Sequence, residues 1–360
     1  MSGLVTPSIE SLVAYEGGKP IEEVVREFGV ASAIKLASNE NPLGPSPKAV
    51  RAAVEALSSV NRYPDGVAFR LRQALAATYG VGFDEVLHGN GSNELIELVV
   101  RTFCTPADHI IFGEPGFAMY RVIALAHGVE FTPVPTVNST HDFSGFLEAV
   151  RPNTKVILID NPNNPTGTYR DAEQVTALLR QVPPEVIVVM DEAYFEYVTA
   201  SDYPNSLELR DLRERLIVLR TFSKIYGLSG MRVGFGIGPA RLMNYLNRLR
   251  APFNVGLASQ EAAIAALGDF EHVEKSRRHN RTEIARLSQG LAALGLEVTP
   301  SQANFVLVHF GRPTRALNQA LLERGVIVRP IPALPHALRI SVGTVAENDR
   351  LLSTLGEVWS

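Results

Sequence analysis

Apolar, strand-length runs that alternate with amphipathic stretches over residues 41–250 predict an α/β protein. The expected architecture is a large domain on a mostly parallel central sheet flanked by helices, followed by a smaller α+β domain. Three observations carry this. Val156-Ile157-Leu158-Ile159 and Val186-Ile187-Val188-Val189-Met190 are apolar at every position, as strands buried on both faces are. A helical pattern separates each such run from the next, as parallel pairing requires. After Pro252 the pattern changes to long helices and short strands, with no Gly/Ser-rich linker between the two blocks. The divisions expected are an N-terminal segment 1–40, a large domain 41–250 and a small domain 251–360.

Each element has a local reason. Ser46-Pro47 supplies an N-cap and a first helical position for an amphipathic helix to about Leu57. A second helix is expected from about Val67 to Tyr79. Short strands follow at Glu85–His88, His109–Phe112 and Glu130–Val134, with helices at Ser92–Phe103 and Gly116–Ala126 between them. The strands Val156–Asp160, Val186–Asp191 and Leu216–Arg220 continue the alternation around a helix at Asp171–Gln181. Helices at Leu257–Leu267, Phe270–Leu294, Thr314–Arg324 and Glu347–Val358 and strands near Ala303–His309, Val326–Arg329 and Leu338–Ser341 make up the small domain.

Composition removes several function classes. The 34 basic and 38 acidic residues leave a net charge of −4, which lacks the basic footprint of a nucleic-acid binder. One cysteine, Cys104, excludes a disulfide framework and a Cys-rich zinc site. Its expected state is an inert core thiol in a reducing cytoplasm. No run of 18 apolar residues exists to span a membrane, and Glu10 and Glu16 interrupt any export signal. His-Glu-x-x-His, a Walker A loop and a Gly-x-Ser-x-Gly elbow are all absent, and no metal site is expected.

Four segments carry chemistry. Gly89-Asn90-Gly91-Ser92-Asn93-Glu94 follows a short strand and opens a helix, so its backbone N–H groups can hold an anion; an ordinary glycine turn is the plainer reading. Asn161-Pro162-Asn163-Asn164-Pro165-Thr166-Gly167 makes a rigid loop where an open α/β sheet binds ligands. Asp191-Glu192-Ala193-Tyr194 places an acid at the end of a buried strand, which is awkward without a cationic partner. Thr221-Phe222-Ser223-Lys224, running on to Arg232 and Gly234, places a lysine just past another strand, where burial makes an amine nucleophilic. Singly these are a turn, a loop, a turn-forming acid and a solvated lysine. In this order they are the set pyridoxal phosphate requires: a Schiff-base lysine, an acid for the pyridine nitrogen and phosphate donors.

With these segments in register, the sequence resembles the fold-type I pyridoxal-phosphate aminotransferases, and within them the histidinol-phosphate aminotransferase family. Ala37-Ser38-Asn39-Glu40-Asn41-Pro42-Leu43-Gly44-Pro45-Ser46, Arg62-Tyr63-Pro64-Asp65, Ala303-Asn304-Phe305, Val328-Arg329-Pro330 and Leu338-Arg339-Ile340-Ser341-Val342-Gly343 extend the match over nearly the whole chain. The resemblance implies pyridoxal 5'-phosphate as cofactor, with Lys224 as its Schiff-base lysine and proton shuttle. It implies Asp191 against the pyridine nitrogen and Tyr194 and Asn164 on the ring's 3-oxygen. Ser92, Asn93, Ser223 and Arg232 are expected around the phosphate and Phe117 on the ring face, where many relatives carry tyrosine. Tyr63 is expected to reach the cofactor of a second subunit in a homodimer. Arg339, Arg329, Tyr15 and Asn164 are the expected substrate contacts, and residues 1–40 are expected to fold over the site and the small domain.

The activity implied is exchange of an amino group between L-histidinol phosphate and 2-oxoglutarate in histidine biosynthesis, in the cytoplasm, on small molecules alone, with neither nucleic acid nor membrane as partner. An aromatic amino acid aminotransferase and a threonine-phosphate decarboxylase share the motifs and remain as alternatives. A pyridoxal-phosphate-sensing regulator would carry a DNA-binding domain ahead of the match, and the match begins within the first 40 residues. A catalytically dead scaffold is disfavoured because Lys224, Asp191, Asn164, Tyr194 and Arg232 are all present.

Overall fold

The computed structural model describes residues 3–12 and 17–359. Its strands, in chain order, are β1 (Ile34–Lys35), β2 (Val86–Gly89), β3 (His109–Glu114), β4 (Glu130–Pro135), β5 (Thr154–Asp160), β6 (Ile187–Asp191) and β7 (Leu216–Thr221). They continue with β8 (Gly234–Ile237), β9 (Glu297–Thr299), β10 (Phe305–His309), β11 (Val326–Ile327), β12 (Arg329–Ile331) and β13 (Leu334–Ser341).

Seven of these form one sheet in the order β2-β8-β7-β6-β5-β3-β4. The pairs from β7 through β6, β5 and β3 to β4 are parallel, and β8 runs antiparallel to both of its neighbours. Because strand side chains alternate between faces, the apolar runs feed two cores at once. Ile157, Ile159, Val188 and Met190 join one hydrophobic cluster, and Val156, Leu158, Ile187 and Val189 join the other. That double burial explains why the runs are apolar throughout. The carboxyl ends of β3, β5, β6 and β7 then lead into the segments holding Phe117, Asn164, Tyr194 and Lys224.

The C-terminal region builds a four-stranded antiparallel sheet in the order β12-β13-β10-β9, with its own hydrophobic cluster. The helices Phe270–Ala293 and Val345–Val358 contribute Leu287, Leu291, Leu351 and Leu355 to that cluster. The short β1 pairs in parallel with β11, which ties residues 34–35 to this region.

Most expected elements are found within a few residues of their expected bounds, and the differences have local causes. Ser46 caps its helix as expected, its side chain accepting from the Ala49 amide at 3.2 Å. The helix expected from Gly116 starts at Met119, because Gly116 sits in a turn so tight that a Cβ would lie 2.3 Å from the Gly113 carbonyl oxygen. The strand expected over Val326–Arg329 divides at Val328, its first part pairing with β1 and its second with β13. Strand β8 and the helix Ala240–Leu249 were not expected from the sequence pattern. Cys104 is partly buried, and burial pushes its thiol up to about 12, which disfavours the nucleophilic thiolate.

Candidate active site

A cavity of about 330 Å³ lies between the carboxyl edge of the seven-stranded sheet and strands β12 and β13. It gathers Ser92, Asn93, Phe117, Asn164, Asp191, Tyr194, Ser223, Lys224, Arg232, Arg329 and Arg339, all nominated from the sequence. Two nominated residues are not among them. Tyr63 is 84% exposed, its ring stacked on Phe253 at 4.7 Å. Tyr15 lies outside the described residues.

One end of the cavity is built for an anion. The helix Ser92–Phe103 starts after Gly91, whose φ of 76° is left-handed and which offers no side-chain cap for the first-turn N–H groups. Arg232, itself left-handed at φ 52°, turns its guanidinium toward this end; a Cβ on Gly91 would lie 2.6 Å from its Nη2. Its Nη1 donates to the Ser229 carbonyl at 3.0 Å and to Ser223 Oγ at 3.4 Å. Asn93 Oδ1 is buried without a hydrogen-bond partner among the described residues. Uncapped helix N–H groups, a guanidinium fork and a hydroxyl are what a phosphate takes up.

The opposite requirement holds at β6. Asp160 and Asp191 end neighbouring parallel strands and sit directly opposite in register. Asp160 is well supplied: the Asn164 amide donates to it at 2.7 Å, and His141 Nε2 lies 3.0 Å from its other oxygen. Asp191 accepts only from Tyr120 at 3.3 Å and the Ala193 amide at 3.2 Å, and takes part in no ion pair among the described residues. Burial first, then the charge of Asp160, push its carboxyl up to about 7. A carboxylate held this way stays ionised only against a cation.

Lys224 projects into the same space. Its Nζ donates to the Ser38 carbonyl at 3.3 Å and stands 5.6 Å from the centre of the Tyr194 ring. Burial, reinforced by the charge of Arg339, lowers its amine to about 8, so a useful fraction is unprotonated near neutrality. The Tyr194 hydroxyl accepts from Asn39 Nδ2 at 2.9 Å, and burial raises it to about 12. Phe117 meets Tyr120 edge-on, the ring centres 5.6 Å apart. Arg339 donates from Nη1 to Asn164 Oδ1 and from Nη2 to the Ala37 carbonyl, each at 2.5 Å. The Asn164 amide oxygen is thereby engaged and its NH₂ remains to donate. Arg329 is registered opposite Arg339 across the β12–β13 pair. Two arginines directly opposite repel each other, which is tolerated where an anion binds between them.

Sequence reading missed Asp160, His141, Tyr120 and Asn39 as members of this site. Asn39 stands without a role inside a segment that carries the resemblance, and Asp160 left a trace as the acid that follows the apolar run Val156–Ile159. The arrangement fits pyridoxal phosphate at each group: a phosphate at the Ser92 helix end, a protonated ring nitrogen against Asp191, donors for the ring's 3-oxygen and an amine for its aldehyde.

Comparison with known proteins agrees with this chemistry. The family described as aminotransferase class I and II matches residues 31–355. Histidinol-phosphate aminotransferase of Anaeromyxobacter sp. (strain Fw109-5) is 48% identical over 99% of both chains. That of Moorella thermoacetica is 46% identical over 98% of this chain and 92% of its own. The crystal structure of histidinol-phosphate aminotransferase from Sinorhizobium meliloti in complex with pyridoxal-5'-phosphate superposes with a TM-score of 0.92, at 30% identity, over 99% of this chain and 98% of the other. Full-length identity at this level, together with a cavity that answers each group of the cofactor, places the chain in the histidinol-phosphate aminotransferase family of the class I and II aminotransferases.

Proposed function

We propose that this protein transfers an amino group between L-histidinol phosphate and 2-oxoglutarate, giving imidazole acetol phosphate and L-glutamate, as a step of histidine biosynthesis in the cytoplasm. The observation that carries the substrate assignment is the pair Arg329 and Arg339, held side by side on β12 and β13 and facing the cavity. A dianionic phosphate rewards two forks, and a carboxylate is served by one. The names of the relatives support the same reading.

Bound pyridoxal phosphate supplies an electron sink that weakens the substrate's Cα–H bond. The residues of this chain do the rest. Ser92, Asn93, Ser223 and Arg232 hold the phosphate. Asp191 keeps the ring nitrogen protonated. Phe117 covers a face of the ring, and Tyr194 and Asn164 donate to its 3-oxygen. Lys224 would hold the aldehyde carbon and, once freed by substrate, its amine would accept the substrate's Cα proton and give it back in the second transfer. Arg339 receives the carboxylate of glutamate in one half-reaction and, with Arg329, the phosphate in the other.

The seven-stranded portion, 41–250, holds the cofactor, and residues 251–360 carry the substrate arginines, with the segment 1–40 and its Tyr15 over the site. Tyr63 reaches the cofactor phosphate of a second copy in a homodimer, which accounts for its exposure beside the exposed apolar side chains Val60, Val67 and Phe253. The test is a single-turnover titration of cofactor-loaded protein, following loss of the visible cofactor band. Fast conversion by L-histidinol phosphate and slow conversion by L-phenylalanine is the expected result. The reverse order would make the protein an aromatic amino acid aminotransferase, and protein without a cofactor band would overturn the reading.

A further inference from the structure

Three consecutive residues, Ala37–Asn39, touch three of the side chains discussed above. The Ala37 carbonyl accepts from Arg339, the Ser38 carbonyl accepts from Lys224, and the Asn39 side chain donates to the Tyr194 hydroxyl. The stretch is tied down on both sides: the Leu36 carbonyl accepts from the Ser341 amide at 2.8 Å and the Asn39 carbonyl from Asn304 Nδ2 at 3.0 Å. Asn39 is 1% exposed and left-handed at φ 55°, a conformation asparagine adopts more readily than most residues.

The hydrogen bonds around Asn39 fix a direction. Its backbone N–H donates to Ser341 Oγ at 2.8 Å, and Ser341 Oγ donates in turn to Asn39 Oδ1 at 2.9 Å. With Oδ1 committed as acceptor, the other end of the amide must be NH₂, and it faces the Tyr194 oxygen at 2.9 Å. Turning the amide around would leave the buried Ser341 hydroxyl hydrogen without an acceptor among the described residues. Tyr194 therefore receives a hydrogen from Asn39, and its own hydrogen is directed elsewhere. No second partner of that hydroxyl is found among the described residues, and Tyr194 lines the cavity.

We propose that Asn39, oriented by Ser341, is a positioning residue that fixes the Tyr194 hydroxyl as a hydrogen-bond donor into the cavity, toward the 3-oxygen of bound pyridoxal phosphate. The inference rests on the reading of Tyr194 given above. Its chemical consequence is specific. A donor on the 3-oxygen favours that oxygen as an anion, and so lowers the pH at which the lysine-bound chromophore gives up its proton. The charged groups that face Tyr194 are Arg339 from β13, Asp160 and Asp191 from the ends of β5 and β6, and Lys224 after β7. None of them changes between the variants below.

The test reads the pH midpoint of the bound cofactor's visible absorbance, a property of the loaded protein that requires no turnover. Asn39→Asp replaces the donor by a group that only accepts, so the Tyr194 proton turns away from the cofactor. The midpoint is expected to rise by roughly one pH unit, the scale of one hydrogen bond to a charged oxygen. Tyr194→Phe is expected to raise it by a similar amount. The added carboxylate also acts through space, so the double variant separates the two effects: in the Tyr194→Phe background, Asn39→Asp is expected to shift the midpoint much less than it does alone. Ser341→Ala adds no charge and frees the amide to turn, giving a smaller rise; it carries the test if Asn39→Asp does not fold. Asn39→Asp and Ser341→Ala at the wild-type midpoint, with Tyr194→Phe shifted, would overturn the inference and leave the reading of Tyr194 standing. Tyr194→Phe at the wild-type midpoint would overturn both.

Discussion

Replacing Asp191 by asparagine in the cofactor-free protein should stabilise the fold, and the gain should depend on pH. In the unfolded chain the carboxyl titrates near 3.8, and in the folded protein near about 7, because it is buried and because the Asp160 charge stands beside it. Between those values the folded protein holds a proton that the unfolded chain has released. Stability therefore falls as pH rises through this window, and the full cost applies above about 7. The whole interval corresponds to roughly 4 kcal/mol at about 1.36 kcal/mol per unit. The portion between pH 5 and pH 8 corresponds to roughly 2–3 kcal/mol. Asparagine has nearly the same shape and does not titrate, so its own burial cost is the same at both pH values. With an unfolding entropy of roughly 0.75 kcal/mol per kelvin for a chain of this length, the Tm of Asp191→Asn relative to wild type should rise by about 3–4 °C on going from pH 5 to pH 8. Thermal unfolding of both cofactor-free proteins at the two pH values measures this. The same Tm difference at both would mean that Asp191 is not held protonated by the empty site, and the argument would fail. With cofactor bound the preference should reverse, because an amide does not neutralise a protonated ring nitrogen.

Two further predictions concern the substrate and lysine ends of the cavity. Arg339→Ala should lower kcat/KM in both half-reactions on the order of 10²-fold, the worth of a lost charge-assisted pair, whereas Arg329→Ala should weaken the phosphorylated amine far more than glutamate. Half-reaction kinetics with each substrate separate the two arginines, and equal losses from Arg329→Ala would remove it from phosphate binding. Lys224→Ala should abolish both the visible cofactor band and transamination. In the wild-type protein, the rate of cofactor loading should climb about tenfold per pH unit below about 8 and level off above it, since only the unprotonated amine attacks an aldehyde. A loading rate independent of pH would show that the Lys224 amine is not depressed.

What the sequence made legible is what local pattern and short spacing encode. Strands β5 and β6 announced themselves because burial on both faces leaves Val156–Ile159 and Ile187–Met190 apolar throughout, and the loops behind them carry residues whose chemistry is readable in order. Strand β8 was illegible for the complementary reason. Gly234-Phe235-Gly236-Ile237 has no strong strand preference, and its glycines serve contact rather than propensity: a Cβ on Gly234 would lie 2.3 Å from the Ser92 amide nitrogen. Its place is set by antiparallel pairing on both sides. Asn39 meets Tyr194 across 155 residues of chain, and His141 meets Asp160 across 19, with a helix and the start of a strand between, so neither pair shows in the periodicity of a single element. The sequence pattern around Tyr63 announced a motif without its address, and the single chain leaves that ring on the surface.

The two acids at the sheet edge show why such a site is stable enough to exist. Asp160 and Asp191 end adjacent strands in register, an arrangement that costs stability if both are ionised and neither is compensated. The fold satisfies one of them fully, through His141 and the Asn164 amide, and that choice has two effects. It pins the loop that carries Asn164, whose side chain in turn holds Arg339. It also places a fixed negative charge beside Asp191, so the second acid is left hungry for a cation at the point where the cofactor's ring nitrogen is expected. The unmet demand of Asp191 and the rigidity of the Asn164 loop thus have a common origin in Asp160. Neutralising Asp160 should therefore disturb cofactor electrostatics and substrate-arginine geometry together, whereas a change at Asp191 touches only the first.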